Sequence, residues 1–197
     1  MEQSSTNHDR ARRLWLTAAS VTGGIGVAAT AIPFVRSMAP SERARALGAP
    51  VEVHMGALRL GELVTVEWRG KPVWVLKRTP EMLQALRGLD DVLADPLSKR
   101  ADQQPAYARN EFRSIRPDVA VLVGICTHLG CVPTFRPAGA AGAEPGWPGG
   151  FFCPCHGSKF DLAGRVYKNV PAPSNLEVPP HRFASDSVVL IGEDPPS

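Results

Sequence analysis

Apolar residues are arranged along this chain in three ways. From residue 14 to residue 35 they form one run, "LWLTAASVTGGIGVAATAIPFV", with no charge in 22 residues. As a helix at about 1.5 Å per residue this run would measure about 33 Å, against about 30 Å of bilayer hydrocarbon, so it predicts one transmembrane helix. Arg10, Arg12 and Arg13 precede it, which predicts a cytoplasmic N-terminus. Between residues 51 and 78 the pattern alternates: "LVTVEW" and "KPVWVLKR" flank Arg69-Gly70, which reads as a hairpin turn. Helical spacing then takes over in "TPEMLQALRGL", with Thr79 as N-cap, Pro80 at the first helical position, and Met82, Leu83, Leu86 and Leu89 on one face.

After residue 95 helical periodicity is scarce. Residues 96 to 113 are polar and irregular and predict a surface excursion. "VAVLVGI", residues 119 to 125, is a short buried-strand pattern that delivers the chain to Cys126. "KFDLAGRVY" and "VPAPSNLEVPPHRFASDSVVLI" follow later, with Ser185-Asp186 as the turn of a last hairpin. There is no internal repeat. The predicted fold is mainly β, an antiparallel head behind one N-terminal helix.

Residues 36 to 50, "RSMAPSERARALGAP", lack an apolar face and read as a hinge linker. The 13 residues from Met38 to Pro50 span about 43 Å extended and about 20 Å as helix, so a change of state would move an attached head by about 20 Å; a passive spacer is the plainer reading. Arg12-Arg13 before "LWLT" resembles a twin-arginine export signal, the route for proteins that fold before they cross a membrane. Cleavage at Ala29-Thr30-Ala31 is the alternative to a retained anchor; the apolar run continuing to Val35 favours retention.

Composition narrows this further. In 197 residues, 44% are hydrophobic, enough for a core, and a dispersed net charge of +3 gives no ground for nucleic-acid binding. Pro (19) and Gly (18) are frequent between β-type runs, which fits a loop-rich β protein. All four cysteines lie in two short stretches, "CTHLGC" at 126–131 and "CPCHGS" at 153–158, each with a histidine beside a cysteine. Three chemistries compete for them. A Cys₂His₂ zinc site would strand two cysteines, and Cys126 and His128 are closer in sequence than zinc pairs usually are. Two disulfides would leave both histidines unexplained. A two-iron, two-sulfide cluster held by two Cys on one iron and two His on the other uses both donor types.

The two stretches resemble the Rieske signature, C-x-H-x-G-C with C-x-C-H-x-S, and eight of its twelve positions are specified. The resemblance implies a Rieske-type 2Fe-2S cluster, one per subunit, with Cys126, His128, Cys153 and His156 as ligands. It implies a disulfide between Cys131 and Cys155, hence an oxidising compartment. With the anchor, the linker and the β head, the chain is similar to the iron–sulfur subunit of the ubiquinol–cytochrome c reductase (cytochrome bc) complex. "VPAPSNLEVP" resembles the proline loop that covers the cluster there, with Pro171, Ala172 and Pro173 in the matching places.

That resemblance implies four segments: a cytoplasmic tail at 1–13, a span at 14–35, the hinge at 36–50, and a periplasmic Rieske head at 51–197 whose cluster-binding part covers about 119–176. It implies a single-pass inner-membrane protein of a bacterium, partnered by cytochrome b and a c-type cytochrome in a dimeric complex. His156 takes the proton of quinol, and Ser158 donates to a bridging sulfide. Leu129 and Gly130 form, with the proline loop, the surface that docks on the quinol site; a core leucine is the plain alternative for Leu129. Phe160 stands where many members carry a tyrosine that donates to a ligand cysteine, which implies a lower potential. His8, His54 and His181 are read as incidental, and the insertion at 136–150 is assigned no chemistry. The rival readings are the Rieske subunit of a periplasmic enzyme such as arsenite oxidase, a zinc or disulfide-stapled module, and a ring-oxygenase ferredoxin.

Overall fold

The computed structural model describes residues 2–41, 48–141 and 146–196. Contacts divide the chain into two units, residues 1–46 and 47–197. The first unit is helix α1, Glu2–Ser37, which runs through the expected tail as well as the span. Its stretch Asp9–Ser37 is long and apolar enough to cross a membrane. The threonine hydroxyls that interrupt it are satisfied within the helix. Thr17 and Thr22 donate to the carbonyls of Arg13 and Ala18 at 2.8 Å, and Thr30 donates to Gly26 O. Residues 42–47 of the expected hinge lie outside the described residues.

The second unit is built from three antiparallel three-stranded sheets. One joins β1 (Val51–His54), β9 (Val188–Ile191) and β8 (His181–Ser185) in the order β1-β9-β8. The next, β2 (Leu63–Trp68), β3 (Lys71–Lys77) and β4 (Val119–Val123), pairs in chain order. The third holds β5 (Thr134–Arg136), β6 (Gly150–Phe152) and β7 (Lys159–Phe160). Arg69-Gly70 turns β2 into β3 as expected, with Trp68 opposite Lys71. The final turn is centred on Asp186-Ser187, one residue later than expected, because Ser185 pairs with Val188.

The middle sheet explains the run "VAVLV". Val73, Val75, Val119, Val121 and Val123 face a core shared with Val53, Val189 and Ile191. Trp74, Leu76, Ala120 and Leu122, on the opposite face by strand alternation, enter a second core with Cys126, Phe151, Cys153, Phe160 and Leu162. A strand covered on both faces reads as continuously apolar. Trp74 stacks on Phe151 with centroids 4.7 Å apart. Gly124 lets the chain pass over that indole, because a Cβ there would lie 2.4 Å from it.

Helix α2, Pro80–Ala85, begins as expected, with Thr79 Oγ1 accepting from Met82 N at 3.2 Å, but it ends before Leu86 and Leu89. The segment 96–113 corrects the sequence reading. It is irregular and half of its residues are exposed, as expected, but it is also anchored in the interior: Ser98, Ala108 and Arg113 are fully buried. Arg113 donates to the carbonyls of Ala163, Gly164 and Gln103 and to Gln104 Oε1. Arg78, also buried, donates to Phe112 O, Leu162 O and Ser114 Oγ. Arg165 pairs with buried Asp161 at 2.7 Å and donates to Leu86 O. Polar residues enter this core because guanidiniums reach across it to backbone carbonyls that no strand satisfies.

Candidate metal centre

Two loops carry the cysteines and histidines, and they close in the same way. In the first, Cys126 N donates to Cys131 O at 2.7 Å and Gly130 N to Cys126 O at 3.0 Å. In the second, Cys153 N donates to Ser158 O at 2.8 Å and Gly157 N to Cys153 O at 2.9 Å. Gly130 and Gly157 take φ of 83° and 78°, a region L-residues avoid, which is why glycine is fifth in both stretches. β4 feeds the first loop, and β6 and β7 hold the two ends of the second.

Cys126 and Cys153 are free and buried. Burial pushes the Cys126 thiol up, the Cys153 thiol beside it pushes the same way, and the His128 backbone and Ser158 hydroxyl oppose both. Cys131 and Cys155 form a disulfide that joins the loops, as expected. The sulfurs of Cys131, Cys153 and Cys155 lie within 4.8 Å of one another; two are spent in the disulfide, so this trio is the bridge packed against a free thiol rather than a metal site. The rings of His128 and His156 meet edge to face, with centroids 4.8 Å apart. His128 is half-buried and His156 exposed. Two buried thiols with two imidazoles toward the surface fit an iron–sulfur group with mixed ligation, because each donor type is present twice and none is engaged by the disulfide.

The loop 171–175 is tied to both Cys–His loops, by one hydrogen bond to each. Thr127 Oγ1 donates to Ser174 O at 2.6 Å, and Ala172 N donates to Ser158 Oγ at 3.0 Å. The Ser158 hydroxyl accepts there and keeps its own hydrogen for a sulfur acceptor. Leu129 is 72% exposed, and Gly130, Pro171 and Pro173 are exposed as well. Ala172 differs from its neighbours: it is buried, and its contribution is the backbone N–H rather than surface. Phe160 is fully buried in the core that holds Cys126 and Cys153.

Thr127 and Ser174, which tie the 171–175 loop to the first Cys–His loop, were not singled out by the sequence reading. The one signal for Thr127 was a hydroxyl at an unspecified position inside the first stretch. Of the remaining histidines, His54 is exposed and His181 is buried, with Nδ1 2.9 Å from Pro179 O. His8 carries no described side chain.

Residues 95–180 match the family model described as "Rieske [2Fe-2S] domain". Residues 1–41 match "Ubiquitinol-cytochrome C reductase Fe-S subunit TAT signal". The ubiquinol-cytochrome c reductase iron-sulfur subunit of Allochromatium vinosum is 55% identical over 184 residues, 93% of this chain and 88% of that protein. The subunits of the same name from Rhodospirillum rubrum and Bradyrhizobium diazoefficiens are 43% and 37% identical, over 88% and 96% of this chain and 86% and 98% of theirs. The paired loops and the N-terminal segment thus find their likeness in the same set of relatives, and the chain belongs to the Rieske iron–sulfur subunit family of ubiquinol–cytochrome c reductase.

Proposed function

We propose that this chain accepts an electron and a proton from quinol at a cytochrome b partner and passes the electron to a c-type cytochrome. The observation that carries the reading is the donor set: two free buried thiols beneath two touching imidazoles, one of them exposed, in loops joined by a disulfide. Cys126, His128, Cys153 and His156 would hold the cluster. When bound, the cluster supplies a one-electron acceptor at about −150 to +300 mV, against about −400 mV for plant-type ferredoxin clusters.

The chain's own residues prepare the encounter. His156, exposed at the tip, offers its outward ring nitrogen as hydrogen-bond acceptor for the quinol hydroxyl and as the place the proton goes. Leu129, Pro171 and Pro173 present apolar surface around it, which excludes water when docked on a lipid-soluble donor. Thr127 and Ser158 hold the 171–175 loop over the buried thiols and keep solvent from them.

The segments follow the same reading: tail 1–13, span 14–35, hinge 36–50 and head 51–197, with the cluster-binding part at about 119–176. The disulfide and the export-signal match favour a periplasmic head on a single-pass anchor in the bacterial inner membrane. A dimeric assembly follows from the family resemblance, and the mass of the solubilised complex checks it. The decisive experiment is electron spin resonance of the reduced protein, combined with redox titration and haem analysis of what co-purifies. A low average g, with b- and c-type haem present, is expected. A colourless protein that binds zinc alone would overturn the reading.

A further inference from the structure

Among the described residues, the buried charged side chains of the head are three arginines, Arg78, Arg113 and Arg165, and one carboxylate, Asp161. All four converge on the turn that leaves the second Cys–His loop. In that turn Asp161 N donates to Arg165 O, Gly164 N donates to Asp161 O, and Asp161 Oδ1 accepts from Ala163 N and Arg165 N. Arg78 holds the Leu162 carbonyl, and Arg113 holds those of Ala163 and Gly164. Gly164 O also accepts from Leu176 N, so the turn links the second loop to the far end of the 171–175 loop. Leu162 and Ala163 lie in one core with Cys126 and Cys153.

The acceptors around Arg78 and Arg113 are neutral. Backbone carbonyls, a serine hydroxyl and a glutamine amide oxygen solvate these guanidiniums without cancelling their charge. The Nε atom of each has no partner among the described residues. Asp161 is engaged by Arg165, which also reaches exposed Asp90 at 3.7 Å; Asp161, Asp118 and Asp95 act on Arg78 and Arg113 through space without a hydrogen bond, so among the fully buried side chains positive charge is in excess. Burial pushes Arg78 and Arg113 down to about 10, which still leaves both protonated at neutral pH. A buried charge with no carboxylate bonded to it is costly, and a neutral amide side chain could bond the same carbonyls without that cost. The charge itself therefore calls for an explanation.

We propose that Arg78 and Arg113, with Arg165 set against Asp161, raise the reduction potential of the cluster held by the adjoining loops. The inference rests on the ligand assignment above. A group that gains negative charge on reduction is stabilised in that state by fixed positive charge nearby in a medium of low polarity. Among the described residues these arginines make no hydrogen bond to the four ligands; they are positioning residues that act through charge.

The test is redox titration of the full-length protein in its complex, followed by electron spin resonance, for the native chain and for Arg113→Met, Arg78→Met, Arg113→Lys and Asp161→Asn. Either methionine variant is expected to lower the midpoint potential, and Arg113→Lys, which keeps the charge, to stay near native. Asp161→Asn removes the one buried negative charge and is expected to raise it. Structural loosening would not produce shifts of opposite sign. The shifts are expected to persist at high salt, because interior charges are poorly screened. An unchanged midpoint in a cluster-loaded methionine variant overturns the proposal, as does Arg113→Lys falling as far as Arg113→Met. If neither methionine variant retains the cluster, the isosteric Asp161→Asn decides, and a lowered or unchanged midpoint there overturns it. Native protein without a nitrogen-ligated cluster signal would defeat the ligand assignment instead, so the two failures are distinguishable.

Discussion

Thr127 Oγ1 donates a 2.6 Å hydrogen bond to the carbonyl oxygen of Ser174, tying the first Cys–His loop to the 171–175 loop. Ser174 is buried, so its carbonyl finds no ready substitute in water. Thr127→Val keeps the shape and deletes the donor, which should cost about 1–3 kcal/mol because a buried acceptor is left unpaired. We expect a lower unfolding temperature for the oxidised protein and faster bleaching of its visible absorption. An unaltered bleaching rate would show that the loop is held without this bond.

The Cys131–Cys155 bridge joins loops 24 residues apart in sequence, with Cys155 exposed. Closing a chain loop of that length constrains the unfolded state by about 3–4 kcal/mol. The bridge also packs against the free thiol of Cys153. Cys155→Ala should therefore lower the thermal midpoint and allow the loops to separate, so that the metal is lost to a chelator at a rate the native protein does not show. Equal chelation rates would count against a role in cluster retention.

The Cys–His loops were legible because their chemistry is local. Ligand types, a glycine at the fifth position, and one spare cysteine all lie within six residues in each of the two stretches. The membrane-length run was legible for the same reason, since a span declares itself by the lack of charge. What stayed hidden depends on distant partners. Arg113 looks like surface in any local pattern, yet its acceptors at Ala163 and Gly164 are 50 and 51 residues away. The buried anchor points of segment 96–113 go with those bonds, so polarity misled at those positions. Ala172 reads as one more member of an exposed proline loop, and only the bond from its N–H to Ser158 turns it inward.

Phe160→Tyr should raise the midpoint potential. Phe160 is fully buried in the core that holds Cys126 and Cys153, so an added hydroxyl would sit near sulfur and donate to it. Such donors favour the reduced state, which carries more negative charge. If the hydroxyl found no acceptor, its burial would cost about 1–3 kcal/mol instead. A raised potential with the thermal midpoint maintained supports the first outcome; an unchanged potential with lowered stability shows that the ring points away from the sulfurs.

His181 gives the head a pH dependence whose sign can be worked out. Its ring is fully buried, Nδ1 lies 2.9 Å from Pro179 O, and Nε2 is unpartnered among the described residues. Tyr107, itself pushed up to about 12 by burial, meets the ring edge to face at 5.8 Å and donates from its hydroxyl to Asp194. Burial lowers the His181 pKa, while the Pro179 carbonyl and Asp194 oppose that shift more weakly. The unfolded chain therefore takes up a proton at about pH 6.5, before the folded one does. Stability is full above that pH and falls as the pH drops toward the folded-state value, because the unfolded state binds more protons there. Thermal midpoints measured between about pH 5 and 8 should decline on the acid side in the native protein. His181→Phe should flatten that limb while leaving the cluster spectrum unchanged; parallel limbs in the two proteins would assign the acid sensitivity to another group.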